Sequence, residues 1–304
     1  MRIGIIGMGG VGGYFGGKLA RAYASPGIHE IAFIARGEHL KAIQQEGLRL
    51  ITQEGDYTVW PNIATDHPDI AGSFDLVFFC VKSYSLETSA KLFAGNIHKN
   101  TAVIPLLNGV NSAERLRSLL PHADVISGSV LIISHIEKPG IIHQEGGACK
   151  LTFGTDDPES TKKYNYIFNI LNEAGIKTDL TDKISEVLWT KLLLMSPMAS
   201  LMSATGKTFG EIWNDAALRE KARKLMLEVV AVAHGRNIVF PPDLVDKTLE
   251  MVGRLRPDSK TSMQLDMEKG NQTEIDILTD FLCQAGRESG ISTPLHDELL
   301  RSLS

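Results

Sequence analysis

A glycine-rich loop near the N-terminus constrains the fold of this chain more than any other feature of its sequence. Residues 2–6 (RIGII) predict a short buried strand, and residues 10–24 predict a helix. The G-x-G-x-x-G loop between them consists of Gly7, Met8, Gly9, Gly10, Val11 and Gly12. Such glycines permit a tight turn, close approach of a pyrophosphate and close helix–strand packing, and the helix N-terminus favours phosphate. The loop predicts that the first 36 residues bind a dinucleotide; a tight turn without a ligand is the alternative.

Further apolar runs predict the sheet to which this first strand belongs. They cover residues 30–35, 74–81, 101–106 and 124–134. Continuous apolar strands separated by helical stretches are typical of a parallel sheet covered on both faces. We therefore expect a doubly wound, Rossmann-type α/β domain at the N-terminus.

The second half of the chain has mainly helical periodicity. Helices are predicted near residues 184–204, 214–235, 242–252 and 274–289, and after Pro294. We place a Rossmann domain at 1–180 and a helical domain at 181–304, because the pattern changes near residue 180.

The residue that follows the second strand predicts which dinucleotide binds. An acidic residue there favours NAD, whereas this chain has Arg36, whose charge and fork geometry suit the 2′-phosphate of NADP(H). If the strand extends two residues further, Glu38 takes this place and NAD becomes possible. Lys82 and Asn108 follow the next two strands, where ligands of such sheets bind, although both residues are also common in turns.

Lys191 is the candidate catalytic residue of the helical half. It shares a helical face with Val187, Met195 and Ala199, at intervals of four residues, within an apolar segment. Burial would lower the pKa of this lysine and make it a usable proton donor, whereas a lysine that reaches solvent is the alternative. Glu274 is a candidate for binding a substrate hydroxyl; alternatively it belongs to a first helical turn capped by Thr273.

Composition and charge exclude several other classes of function. The net charge of −5 does not favour binding to nucleic acid or to an anionic membrane. Three widely separated cysteines fit a reduced, cytoplasmic protein, and their spacing predicts no metal site. The apolar segment 187–206 contains Lys191 and Pro197, so we interpret it as a buried helix rather than a membrane span, and the N-terminus does not resemble a signal peptide.

Together these segments resemble the ketopantoate reductase (2-dehydropantoate 2-reductase) family over nearly the whole chain. The resemblance rests on the order and spacing of the following segments: GMGGVGG at 7–13, Arg36, CVKSY at 80–84, LLNGV at 106–110, LWTKLLL at 188–194, SMQLD at 262–266 and TEID at 273–276. It implies a Rossmann domain, a helical domain similar to the C-terminal domain of 6-phosphogluconate dehydrogenase, and a substrate cleft between them.

The resemblance also implies a function, namely NADPH-dependent reduction of 2-dehydropantoate to (R)-pantoate in pantothenate and coenzyme A biosynthesis. Lys191 would donate the proton and Glu274 would bind the substrate and the lysine amino group. Ser262 would hold the substrate carboxylate, and Asn108 would contact both substrate and cofactor. Lys82 and Arg36 would hold the cofactor. A homodimer is a further expectation.

The chain departs from the family pattern on the helix that carries the lysine. The family often has asparagines four and eight residues after the lysine, where this chain has Met195 and Ala199. A site built to bind a substrate hydroxyl strongly rejects analogues that lack it, so the loss of two hydrogen-bonding side chains bears on which substrate is accepted. The exact substrate is therefore left open. Ser196, Ser200 and Ser203 are candidates to replace the lost contacts. Alternatives are a reductase of a more apolar 2-oxo acid and a non-catalytic NADP(H)-sensing protein.

Overall fold

The computed structural model describes residues 1–24 and 28–303. These residues form two compact units, which consist of residues 1–107 with 111–184, and residues 108–110 with 185–304. Asn108–Val110 thus belong to the second unit, although the chain on either side belongs to the first.

The first unit contains all eleven strands of the described residues. They are β1 (Arg2–Ile6), β2 (Glu30–Ile34), β3 (Leu48–Thr52), β4 (Gly55–Val59), β5 (Ile63–Thr65), β6 (Leu76–Phe79), β7 (Ala102–Pro105), β8 (Asp124–Val125), β9 (Ser127–Lys138), β10 (Ile141–Gly154) and β11 (Lys177–Thr181). Its helices are α1 (Gly10–Leu19), α2 (Gly37–Glu46), α3 (Pro68–Ala71), α4 (Leu86–Leu92), α5 (Ser112–Leu119), α6 (Pro158–Lys162) and α7 (Asn165–Glu173). A π-helical turn, Ala20–Ala24, extends α1, and 3₁₀ turns occur at Ser83–Ser85 and Ala94–Asn96.

Six strands form the predicted parallel sheet, in the order β5-β2-β1-β6-β7-β8. Counted among themselves along the chain, they run 3-2-1-4-5-6, the order of Rossmann folds. Alternate residues of β1 point to opposite faces of the sheet, since Ile3 and Ile5 pack in one hydrophobic cluster and Ile6 packs in another. Both faces are therefore covered, and the predicted doubly wound fold is confirmed.

A second, five-stranded sheet was not predicted. Its order is β11-β10-β3-β4, with β9 paired to β10. The prediction of one strand over 124–134 is wrong, because β8 joins the parallel sheet while β9 pairs antiparallel with β10. Helix α1 also packs on this second sheet, and a Cβ atom at Gly17 would lie 2.5 Å from Leu50.

The second unit is helical, as predicted. It contains α8 (Ile184–Thr205, whose first residue lies in the first unit), α9 (Phe209–Asn214), α10 (Ala216–Gly235), α11 (Leu244–Val252), α12 (Ser262–Glu268), α13 (Phe281–Glu288) and α14 (Pro294–Leu303). A π-helical turn, Asp276–Asp280, precedes α13. The short helices α9 and α12 were not predicted.

Helix α8 is long and apolar enough to cross a membrane by length and composition. However, most of its apolar stretch is buried inside the structure. All of its leucines and methionines except Leu188 lie in the core of the second unit or pack against it. This supports the interpretation of the segment as a buried helix.

Candidate active site

The glycine loop lies between β1 and α1, beside the end of β6. Gly7 has a φ of +96°, and a Cβ atom there would lie 2.9 Å from the carbonyl oxygen of Cys80. A Cβ atom at Gly12 would collide with the carbonyl oxygen of Gly7. Both positions therefore require glycine for the fold itself.

Gly9 differs from these two glycines. It is the N-cap of α1, where no side chain caps the helix, and a Cβ atom added to it would meet nothing within 4 Å. The space beside Gly9 is open and lies at the positive end of helix α1. We call this space the Gly9 cradle, and it fits a phosphate group.

Arg36 lies two residues beyond the end of β2, exposed, at the N-cap of α2. The strand ends at Ile34, so the longer strand that would bring Glu38 to its tip is not formed. Glu38 lies in the first turn of α2 and accepts a hydrogen bond of 2.8 Å from Lys41.

Lys82 is the third candidate cofactor-binding residue of this unit. It is partly buried and lies at the start of the 3₁₀ turn that follows β6. Since β1 and β6 are neighbouring strands, Lys82 and the glycine loop follow the same edge of the sheet.

Three predicted residues from distant segments meet in the second unit. Lys191 Nζ donates to Asn108 Oδ1 at 3.0 Å, and Asn108 Nδ2 donates to Glu274 Oε2 at 3.2 Å. Glu274 is only 5% exposed and lies before the π-helical turn. Its burial and its bond to Asn108 argue against a role limited to the first turn of a helix.

Burial lowers the pKa of the Lys191 ammonium to about 8, and the nearby charge of Glu274 opposes this shift. A lysine with this pKa holds its proton at neutral pH and can release it to a base. The structure therefore contains a group suited to proton donation. It is held by the Asn108 amide, which itself donates to the Glu274 carboxylate.

Asn108 is fixed by the glycine that follows it. Gly109 has a φ of +83°, and a Cβ atom there would lie 3.1 Å from Cβ of Ile277. This close approach holds the Asn108 segment against the π-helical turn that follows Glu274.

The other positions at which the family resemblance predicts substrate contacts, Ser262, Met195 and Ala199, belong to the same unit. Ser262 is the first residue of α12 and is exposed. Met195 is partly buried against the core, and Ala199 is completely buried within it.

Two of the three serines proposed to replace the family's asparagines have other partners. Ser196 donates to the Leu278 carbonyl oxygen at 3.1 Å, and Ser200 Oγ lies 2.6 Å from Thr279 Oγ1. Both serines are completely buried, so they connect α8 to the π-helical turn. The hydroxyl oxygen of Ser203 is buried without a hydrogen-bond partner among the described residues.

Sequence reasoning missed one group of potential ligands in the first unit. His135, His143 and Glu145 each offer an atom that lies within 4.8 Å of the others. The two histidines face each other across β9 and β10. Their pairing depends on the register of two strands, which the spacing of the residues does not reveal.

The strand order and the position of the glycine loop are those of the Rossmann-fold dinucleotide-binding proteins. Comparison with known families specifies the class further. The family described as ketopantoate reductase PanE/ApbA matches residues 3–158, and its C-terminal counterpart matches residues 183–304. The chain belongs to the ketopantoate reductase family and is an oxidoreductase of that family.

Individual relatives agree with this assignment. The chain is 31% identical to a 2-dehydropantoate 2-reductase of Mesorhizobium japonicum, over 99% of this chain and 96% of the relative. It is similar to the crystal structure of a PanE/ApbA family ketopantoate reductase from Ralstonia eutropha, with a TM-score of 0.89 and 30% identity over 100% and 97% of the two chains.

A D-mandelate dehydrogenase in a ternary structure with NADH and anilino(oxo)acetate shares the fold. Its TM-score is 0.87, with 21% identity over 100% of this chain and 97% of that one. At this identity the likeness concerns the fold alone.

Proposed function

We propose that this protein reduces 2-dehydropantoate to (R)-pantoate with NADPH, and that Lys191 donates the proton. The observation that carries the proposal is the hydrogen-bonded series Lys191–Asn108–Glu274, in which burial brings the lysine pKa to about 8. The similarity to relatives named 2-dehydropantoate 2-reductase supports the choice of substrate.

The first unit supports the choice of cofactor. The Gly9 cradle fits a pyrophosphate, and the exposed Arg36 beyond β2 fits a 2′-phosphate. Lys82 would add positive charge at the same edge of the sheet. Bound NADPH would supply the hydride for reduction of the carbonyl.

Lys191 would act on the oxygen of the substrate carbonyl. As negative charge develops on that oxygen, a positioned ammonium stabilises it and then transfers a proton. Asn108 orients the amine through its carbonyl oxygen, and the Glu274 charge favours the protonated lysine. Ser262, exposed at the start of α12, would donate to the substrate carboxylate.

A second candidate function is the reduction of a more apolar 2-oxo acid. Met195 and Ala199 offer no hydrogen bonds, and the buried Ser196 and Ser200 already bond within the core. The dehydrogenase that shares this fold is named for D-mandelate, an aromatic 2-hydroxy acid, and this name is the reason for including an aromatic 2-oxo acid among the substrates to be tested.

A substrate panel distinguishes the two candidates. Purified protein is mixed with NADPH or NADH and with 2-dehydropantoate, 2-oxoisovalerate or phenylglyoxylate, and the loss of reduced nicotinamide absorbance is followed. We expect the highest kcat/KM for 2-dehydropantoate with NADPH. A higher value for phenylglyoxylate would favour the second candidate, and no turnover of 2-dehydropantoate would rule out the first.

A further inference from the structure

We propose that His135, His143 and Glu145 form a binding site for a divalent transition-metal ion such as Zn²⁺. The three residues lie on β9 and β10 of the second sheet of the first unit. The inference is independent of the proposed reductase activity, because none of the three belongs to the Lys191 group or to the glycine loop.

Strand pairing brings the two imidazoles together. His135 and His143 are directly opposite each other in the antiparallel pair, and their ring centroids are 5.6 Å apart. Opposed residues on one face of such a pair have neighbouring side chains. The hairpin therefore fixes both nitrogen ligands on a rigid element.

Two irregularities in the register add carboxylates to this pair. The pairing passes from Gln144 to Gly146 on one strand while it moves by one residue on the other, so Glu145 is the extra residue of a β-bulge. Its carboxylate oxygen lies 3.7 Å from His135 Nδ1. A second bulge leaves Glu137 unpaired on β9, and its carboxylate lies 3.6 Å from His143 Nδ1.

The donor set indicates the kind of ion. Imidazole nitrogens suit Zn²⁺, Cu²⁺, Ni²⁺ and Co²⁺, whereas Mg²⁺ and Ca²⁺ prefer oxygen ligands. Two histidines and one carboxylate leave a fourth tetrahedral position for water or for Glu137.

Only small movements are needed for coordination. Ligand atoms about 2.0–2.2 Å from Zn²⁺ lie about 3.3 Å from each other in a tetrahedral site. The present atoms lie within 4.8 Å, and the side chains of His135 and His143 are 48% and 38% exposed. Rotation of these side chains can close the difference without a change in the backbone.

Titration of the full chain, without an added histidine tag, tests the proposal. Co²⁺ binding is followed by its visible absorption, with Zn²⁺ and Mg²⁺ as competitors. We expect one equivalent of Co²⁺ per chain, displaced by Zn²⁺ but not by Mg²⁺. No saturable binding would overturn the proposal.

Single variants locate the site. We expect His135→Ala and His143→Ala each to weaken binding at least about tenfold, since ligands matter at least as much as the groups that orient them. His67→Ala is the matched control, because His67 is 73% exposed and lies outside the group. Unchanged affinity in both His135→Ala and His143→Ala, with native circular dichroism, would overturn the proposal. Unchanged affinity in Glu145→Gln would contradict the role of Glu145 as a metal ligand.

Discussion

The glycine loop and the Lys191 group are constructed in opposite ways. The loop is a local structure made of backbone, in which the absence of side chains at Gly7, Gly9 and Gly12 is the essential feature. The Lys191 group consists of three polar side chains, and its hydrogen bonds join residues 83 and 166 positions apart. The first kind of site can be read from a short motif, whereas the second exists only after the chain has folded.

The largest expected effect concerns the side-chain site. We expect Lys191→Ala to lower kcat by about 10²–10⁴-fold, because general acid catalysis contributes that much. Affinity for NADPH, measured by fluorescence titration, should change little. A variant that retains wild-type kcat would show that Lys191 is not the proton donor.

An intermediate effect is expected at Arg36, the side chain proposed to bind the cofactor together with the glycine loop. In Arg36→Ala, we expect the affinity for NADPH to fall about tenfold to a hundredfold, because hydrogen bonds to a charged group contribute about that much to binding. The affinity for NADH should be unchanged, since NADH has no 2′-phosphate. Glu38→Gln is the control, because Glu38 bonds to Lys41 rather than lying at the end of β2. Equal losses for both nucleotides in Arg36→Ala would contradict recognition of a 2′-phosphate.

Two glycine variants separate the fold from the ligand within the loop. Gly12→Ala forces a Cβ atom onto the Gly7 carbonyl, so the free energy of unfolding should fall by about 1–3 kcal/mol or more. Gly9→Ala enters open space, so we expect near-normal stability in denaturant but weaker nucleotide binding. Normal binding by Gly9→Ala would argue against a phosphate beside Gly9.

The same contrast explains how much of the fold was predictable. Strands of the parallel sheet, such as β6 and β7, are continuous apolar runs because both faces are buried. The second sheet escaped prediction because β4 (GDYTV) is mostly exposed and polar, and β10 contains charged and glycine residues. Neither segment has the apolar pattern that identifies a buried strand.

The candidate site was predictable only in part. The apolar surroundings of Lys191 indicated a desolvated lysine, and its strand-end position made Asn108 a candidate. The family resemblance added the expected roles of Asn108 and Glu274 toward the substrate, the cofactor and the lysine. The bond of Ser200 to Thr279 and the pairing of His135 with His143 depend on long-range contacts that no local pattern encodes. Two of the serines suggested as substrate ligands, Ser196 and Ser200, are therefore found inside the core.

The pH dependence of kcat/KM for carbonyl reduction tests the role of Lys191 most directly. The folded-state pKa of about 8 lies below the ordinary lysine value of 10.5, so the ammonium is lost as the pH rises through about 8. We predict a constant rate below that pH and a decline of about tenfold per unit above it, since kcat/KM reports the free enzyme. The decline should be absent from the residual activity of Lys191→Ala. A wild-type profile that stays flat to pH 10 would contradict the account.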